Sequence, residues 1–471
     1  MKTPLLTVLA ATLLSACSLA PTYERPAAPV APAFPDNAPG AGAAVAPNAE
    51  GKAAVDTGWR DFFADERLRQ LIAAALDNNR DLRTAALRIE EARAAYNITR
   101  ADRLPNLNGA LSGTRARTPA WQSATGTAGV GERYDAGISS AFELDFFGRV
   151  RSLSDAALAS YLATDEARRA AQISLVAEVA KAYFTERAYA EQLALAQSTY
   201  EARRRTYDLT RQRMDVGASS LLDLRLNETL METARAQALA TARQRAQAEN
   251  ALTLLVGAPP AQAASGAMAD DRQVDAMSAV PAGLPSDLLT RRPDIRAAEQ
   301  RLRAANANIG AARAAFFPRI SLTAALGSSS PEFSGLFDGG TKTWSFVPQL
   351  TVPIFDAGRN RANLNLAEVR KDIAVADYEK TIQVAFREVA DALAARNYLA
   401  DQVAAQRAIQ EAQAERLRLL QLRFENGVAS TLDVLDAQRE LFDAQQQLVQ
   451  ARLLRTTSAI DLYRALGGGL Q

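Results

Sequence analysis

The chain of 471 residues contains no histidine and a single cysteine. Without histidine, neither a catalytic triad built on an imidazole nor a histidine metal site is available. A lone cysteine cannot form a disulfide within the chain. The 54 lysine and arginine residues are balanced by 53 aspartate and glutamate residues, so no general attraction to nucleic acid follows. No side chains cluster as an acid, a base or a nucleophile, and we expect neither an enzyme nor a nucleic-acid-binding protein.

The first residues have the pattern of an export signal. Lys2 gives the charged start, and an apolar stretch from Leu5 to Leu14 is too short to span a bilayer. Because Leu14-Ser15-Ala16-Cys17 resembles a bacterial lipobox, we expect cleavage after residue 16 and a covalent lipid on Cys17. The resemblance to bacterial lipoproteins implies that Ser18, in place of aspartate, permits sorting to the outer membrane. The alternative is an ordinary signal peptide with a chance cysteine, and no cofactor other than the lipid is expected.

Residues 148–257 are repeated at 358–467 with a constant offset and no gap. Gly148-Arg149 matches Gly358-Arg359, and Gly257 matches Gly467. Upstream, with a slip of three residues, Pro105 matches Pro318. Such a repeat indicates one body built from two copies of a structural unit.

The repeat divides the chain into five segments. We predict a signal peptide at 1–16, a lipidated tether at 17–58, a first repeat at 59–257, a linker at 258–283 and a second repeat at 284–471. The tether is rich in proline, alanine and glycine, a composition typical of extended, poorly packed chain. Pro259-Pro260 and a polar run make the linker partly irregular.

Two very long helices are predicted, from Gly148 to about Met214 and from Gly358 to about Phe424. Their interiors lack proline and glycine and are rich in strong helix formers. About 65 residues at 1.5 Å each make a rod of about 98 Å, a length typical of coiled coils. A seam with steps of three and four is formed by Ile173, Val176, Ala180 and Tyr183. Shorter helices are predicted from Trp59 to about Arg103.

Each repeat also contains a stretch with period-two alternation, at about 105–146 and about 318–355, which predicts a two-stranded hairpin. The apolar positions of the alternation include Ile138, Phe142, Leu144, Ile320, Leu326, Trp344, Phe346, Leu350, Val352 and Ile354. Hairpins packed on their own helices would use Ile138, Phe142, Ile320 and Trp344 as core. Hairpins that enter a membrane require oligomerisation, because four strands cannot close a barrel and open edges are costly in lipid. Three chains would provide twelve strands.

Both long helices turn back at a glycine, Gly217 or Gly427, which suits the left-handed position just past a helix end. Each turn is followed by a serine and, three residues later, an aspartate, the pattern of a capping box. The predicted boxes are Ser220 with Asp223 and Ser430 with Asp433. We interpret both aspartates as helix caps.

Four sequence runs carry a family resemblance. They are Glu143-Leu144-Asp145-Phe146-Phe147-Gly148-Arg149, Pro281-Ala282-Gly283-Leu284-Pro285-Ser286-Asp287-Leu288-Leu289 with Arg292-Pro293-Asp294-Ile295-Arg296, Ala305-Asn306-Ala307-Asn308-Ile309-Gly310-Ala311-Ala312-Arg313-Ala314-Ala315-Phe316-Phe317-Pro318, and Ala465-Leu466-Gly467-Gly468-Gly469. Through these runs the chain resembles the TolC family of outer-membrane channels and, within it, the OprM-like lipidated drug-efflux subgroup. The resemblance implies a mainly α protein with transmembrane β: a homotrimeric twelve-stranded barrel continued by a twelve-helix periplasmic tunnel.

The resemblance also places the working parts at the helical tips. Leu432 is expected to form an apolar plug and Asp436 an acidic ring beside it, with three copies of each at the axis. Asp436 is replaced by Leu226 in the first repeat, where an outer helix should differ from an inner one. Adaptor docking is expected at the tips, at Gly217, Gly427, Ser220 and Ser430. A purely conformational role in the turn is the alternative for both glycines.

The predicted function is a passive exit duct in the outer membrane of a Gram-negative bacterium. The expected partners are two further copies of the chain, a periplasmic adaptor protein, an inner-membrane resistance-nodulation-division pump that supplies the energy, and outer-membrane lipid. An exit channel of a type I protein-secretion system is the alternative within transport. A periplasmic coiled-coil scaffold or adhesin is the alternative in another class, and it predicts no ion conductance.

Overall fold

The computed structural model describes residues 19–35, 54–123, 126–259, 268–278 and 285–470. The described chain is mainly helical, with one four-stranded sheet. It splits into two compact units. Of the described residues, unit 1 contains those up to 27, within 88–165 and within 297–379, and unit 2 contains those within 28–87, 166–296 and 380–470. Cys17 lies outside the described residues.

Ten helices and four strands are described, together with short 3-10 turns at Ala54–Asp56 and Ala120–Gln122. The helices are α1 (Trp59–Phe62), α2 (Glu66–Asn78), α3 (Arg80–Ala101), α4 (Arg149–Asp215), α5 (Leu221–Val256), α6 (Asp271–Ser278), α7 (Pro285–Arg291), α8 (Pro293–Ala314), α9 (Arg359–Glu425) and α10 (Thr431–Ala465). The strands are β1 (Asn108–Thr118), β2 (Gly129–Leu144), β3 (Arg319–Ser330) and β4 (Lys342–Thr351). Among the described helices, none combines the length and the apolar character that crossing a membrane requires.

The duplication is visible in the lengths of the helices. α4 and α9 each contain 67 residues. α3 and α8 each contain 22 residues. In the first repeat, Asn79 separates α2 from α3, because its side-chain oxygen accepts from the Leu82 backbone N–H at 2.9 Å and starts a new helix.

Unit 1 contains the sheet, whose strands are antiparallel in the order β1-β2-β3-β4. β2 pairs with β3, so the two hairpins, one from each repeat, form a single sheet. The prediction that alternation continues in the second strand to Ile354 is wrong, since β4 ends at Thr351. Thr351 pairs with Arg319, the first residue of β3, and Pro318 before it has no N–H to extend the ladder.

One face of this sheet is apolar. Ile138 of β2 lies opposite Leu326 of β3, which lies opposite Trp344 of β4. Their exposed fractions are 53%, 66% and 79%. The opposite face presents small and polar residues, among them Ser139, Ala325 and Ser345, which form the next cross-strand row. The interpretation in which Ile138 and Trp344 are core residues packed on helices of the same chain is therefore wrong.

Residues 19–25 are fixed to α8 within unit 1. The Asn306 side chain donates to the Pro21 carbonyl at 2.7 Å, and the Arg25 guanidinium binds the Glu299 carboxylate at 2.9 Å. A side chain at Gly310 would collide with Ala20, whose Cα lies 2.8 Å from the added Cβ position. The prediction of a poorly packed segment is wrong for these residues, because side chains on a distant helix supply the contacts that composition does not reveal.

Unit 2 has an aromatic core. Tyr463 of α10 stacks on Phe62 with ring centroids 3.8 Å apart, and its hydroxyl donates to the Thr57 carbonyl at 2.6 Å. The Tyr183 hydroxyl donates to Asp65 at 2.8 Å. All four residues of the predicted seam on α4 are buried: Ile173, Val176, Ala180 and Tyr183.

The linker between the repeats contains the short helix α6. Val274 and Met277 are buried, and ion pairs join the helix to its neighbours in unit 2. Asp271 binds Arg407 of α9 at 2.6 Å and Arg455 of α10 at 3.2 Å. Apolar burial and charge thus hold α6 to both long helices of the second repeat.

Candidate gate and docking site

The two helical tips have the same backbone geometry. The Gly217 N–H donates to the Met214 carbonyl at 2.9 Å, and the Ala218 N–H to the Arg213 carbonyl at 2.7 Å. Gly217 has φ +74° and Gly427 has φ +72°, the left-handed conformation that favours glycine. A Cβ at either glycine would meet no atom within 4 Å. The turn therefore favours glycine at both positions, and both glycines leave open space beside it.

Both return helices begin with a capping box. The Ser220 hydroxyl accepts from the Asp223 N–H at 3.1 Å, and the Asp223 carboxylate accepts from the Ser220 N–H at 3.3 Å. The corresponding distances for Ser430 and Asp433 are 3.2 and 3.0 Å. Hydrogen bonds from these serines hold the pKa of both aspartates below the usual value. The carboxylates thus remain ionised and keep the tips capped at neutral pH.

Asp436 lies in the second turn of α10 between two arginines. Its carboxylate binds Arg439, three residues further along the helix, at 2.7 Å, and Arg416 of α9 at 3.4 Å. Arg439 also binds Glu440 at 3.0 Å. Two guanidinium and two carboxylate groups therefore form one neutral cluster. The expectation of an acidic ring at Asp436 did not include these arginines.

This cluster belongs to the second repeat alone. The positions that correspond to Arg416, Asp436 and Arg439 in the first repeat carry uncharged residues, Thr206, Leu226 and Thr229. Spacing along a helix is enough to suggest that Arg439 contacts Asp436. Arg416 was missed because its contact depends on the register between two antiparallel helices.

Leu432 is 66% exposed in the single chain, and Leu222, at the corresponding position of the first repeat, is 78% exposed. The packing of one chain therefore does not distinguish the two leucines. In the described part of the chain, no group of three or more cysteine, aspartate or glutamate side chains is arranged to hold a metal ion.

A family model described as "Outer membrane efflux protein" matches residues 71–258 and 284–468, one stretch in each repeat. The chain belongs to the outer membrane efflux protein family. It is 52% identical over 464 residues to the outer membrane protein OprJ of Pseudomonas aeruginosa, a match that covers 98% of this chain and 95% of OprJ. It is 49% identical to the probable efflux pump outer membrane protein TtgC of Pseudomonas putida, with 97% of this chain and 93% of TtgC covered.

The fold is also that of solved members of the outer membrane efflux protein family. The open state of the Neisseria gonorrhoeae MtrE outer membrane channel superposes with a TM-score of 0.84 at 42% identity, covering 97% of this chain and 99% of MtrE. The resemblance to the TolC-type drug-efflux group is thereby confirmed. The chain is an outer-membrane efflux channel protein, which agrees with the localisation that the sequence predicts.

Proposed function

We propose that three copies of this chain form the passive exit duct of a tripartite resistance-nodulation-division multidrug efflux system. The sheet of unit 1 carries the argument, because in one chain its outer strands β1 and β4 each pair on one side only. Its apolar face is exposed as well. Exposed apolar side chains suit a lipid environment, whereas unpaired strand edges in lipid cost several kcal/mol per backbone group. Closure into twelve strands removes all six edges.

The helices supply the periplasmic part of the duct. Each chain contributes the pairs α4–α5 and α9–α10, so three chains provide twelve helices. At 1.5 Å per residue, the 67 residues of α4 and α9 extend for about 100 Å. The duct carries out no reaction, and the inner-membrane pump supplies the energy.

The gate in this proposal is the tip of the second repeat. Leu432, exposed in the single chain, meets its two copies at the axis and forms an apolar plug. Asp436 lies one helical turn further from the tip, where Arg416 and Arg439 hold its carboxylate in place. The same positions in the first repeat carry no charge, which supports different roles for the two tips.

Docking of the periplasmic adaptor is proposed at the tips, at Gly217 and Gly427 with the capping serines Ser220 and Ser430. The open space beside both glycines would admit side chains of a partner. A Gly427→Leu variant is expected to lose adaptor binding while still forming trimers. Loss of the trimer together with binding would support only a conformational role. A lipid on Cys17 would provide the anchor in the outer membrane.

The gate is tested by the conductance of the purified, closed channel in a planar bilayer. Leu432→Ala is expected to raise this conductance because it removes the apolar plug. Asp436→Ala is expected to raise it because it removes the charge that orders the tip. Leu222→Ala is the matched control, since Leu222 occupies the equivalent position of the first repeat. Unchanged currents in the first two variants, or an equal rise in the control, would contradict the gate assignment.

A further inference from the structure

A cavity of about 880 Å³ lies in unit 2 among α4, α5, α9 and α10. Its volume falls within the range of about 300–1,000 Å³ found for small-molecule sites. Of the four charged residues that cluster at the gate, Arg416, Asp436, Arg439 and Glu440, only Arg439 lines the cavity. The cavity is therefore a feature separate from the plug, the caps and the docking glycines.

Amide side chains line the cavity in pairs that the duplication relates. Gln192 of α4 corresponds to Gln402 of α9, and Gln237 of α5 corresponds to Gln447 of α10. Each amide offers both donors and an acceptor, so these groups can satisfy many polar ligands without selecting a charge. The paired amides thus make the cavity polar, but they do not favour a ligand of either charge.

The charged residues break this symmetry. Arg203 lines the cavity from α4, and its counterpart in the second repeat is the neutral Gln413. Asp443 lines it from α10, and its counterpart is Thr233. With Arg439, the lining carries two guanidinium groups and one carboxylate. Arg439 is already paired with Asp436 and Glu440, and Asp443 is exposed to solvent. The half-buried Arg203 therefore decides which ligand charge the cavity favours.

Among the described residues, no ion pair joins Arg203 to a carboxylate. Its Nη1 donates to the Leu230 carbonyl at 3.1 Å, and its Nε is buried without a hydrogen-bond partner among the described residues. Burial lowers the pKa of the guanidinium, more than the nearby Asp443 raises it. A half-buried cation without a paired anion is costly, and a bound anion would offset that cost.

Apolar side chains stand beside this cation. Leu230, Phe442 and Leu454 all line the cavity, and Leu454 remains about half exposed. We propose that the cavity binds an amphipathic organic anion, whose acidic group pairs with Arg203 and whose apolar part lies against these three side chains. The site would bridge the helix pair α4–α5 of the first repeat and helix α10 of the second.

The proposal is tested by isothermal titration of the purified protein, in a non-ionic detergent, with 2-naphthoate. Binding is expected to weaken about tenfold or more in Arg203→Gln, because a hydrogen-bonded charge pair is lost. Arg204→Gln is the matched control, since Arg204 is the next residue and is exposed, and it should bind as the unmodified protein does. Equal affinity in Arg203→Gln and the unmodified protein would overturn the proposal.

Two analogues of 2-naphthoate, one uncharged and one cationic, test the charge preference of the cavity without any substitution in the protein. The uncharged 2-naphthamide is expected to bind the unmodified protein at least about tenfold more weakly than 2-naphthoate. Tighter binding of 2-naphthylmethylammonium than of 2-naphthoate would assign the site to Asp443 and a cation, and would refute the proposal. Absence of 2-naphthoate binding would refute it too. None of these outcomes depends on the gate or on partner proteins.

Discussion

The carboxylate of Glu299 in α8 binds two side chains of residues 19–25, Tyr23 and Arg25. Glu299 is only 5% exposed and accepts from the Tyr23 hydroxyl at 3.1 Å, from Arg25 at 2.9 Å and from Arg303 at 2.8 Å. Burial raises the pKa of Glu299, but hydrogen bonds from Arg303 and Arg25 outweigh it, so the carboxyl is ionised at neutral pH. Glu299→Gln keeps the shape of the side chain and removes its charge.

The cost of this substitution follows from the exposure of its partners. Breaking a fully buried ion pair costs about 3–5 kcal/mol. The side chains of Arg25 and Arg303 are 43% and 44% exposed, so solvent screens both charges. We therefore expect a loss of about 1–2 kcal/mol in the attachment of residues 19–25, which raises the detached population about 5- to 30-fold.

Cleavage by a glutamyl endopeptidase after Glu24 measures this population. Glu24 is exposed, but its peptide bond must leave α8 to enter a protease, and slow cleavage tracks the open fraction. The initial rate should rise about 5- to 30-fold in Glu299→Gln. Glu90→Gln, which removes an exposed ion pair with Arg93 in the same unit, is the control. A rate in Glu299→Gln within about twofold of that control would refute the reasoning.

Three other predictions concern unit 2. Ser220→Ala removes an N-cap and should cost about 1 kcal/mol, seen as about fivefold faster hydrogen exchange in the first turn of α5; unchanged exchange would count against the cap. A hydrogen bond from Arg407 lowers the pKa of Asp271, so the attachment of α6 is stable above the ordinary aspartate pKa and is lost only as the pH falls below it. Exchange of the α6 amides, corrected for intrinsic rates, should stay constant from about pH 7 to pH 5 and accelerate below about pH 4, and acceleration already at pH 5 would contradict this. Glu186→Gln removes the charge of a buried carboxylate that binds Arg187 and Arg245, and it should cost about 3–5 kcal/mol, with a clear fall in the thermal midpoint. Glu249→Gln removes a carboxylate that is about half exposed and should change the thermal midpoint little.

Local patterns were sufficient to predict the tips. The turn at Gly427 and the capping box of Ser430 with Asp433 each involve only a few consecutive residues. Both could therefore be predicted from the sequence. The length of α4 follows in the same way, because its strong helix formers are uninterrupted.

Contacts between distant residues were not predictable. Alternation of apolar and polar residues assigns each residue to a face of the sheet, but it does not say which strands are neighbours. The pairing of β2 with β3 was therefore not predicted. The Tyr23 contact with Glu299 joins residues 276 positions apart, in a segment whose composition suggests no packing. Arg416 was missed at the candidate gate for the same reason, because its partner Asp436 lies on another helix.

The number of copies in the assembled particle tests the central claim most directly, because each chain contributes four strands. Native mass spectrometry of the protein released from detergent should give three times the mass of the chain, which corresponds to a twelve-stranded barrel. A single copy would leave both edges of the sheet open. Two copies would give an eight-stranded barrel, in which side chains fill the interior. Either of these results would contradict the account of an efflux duct.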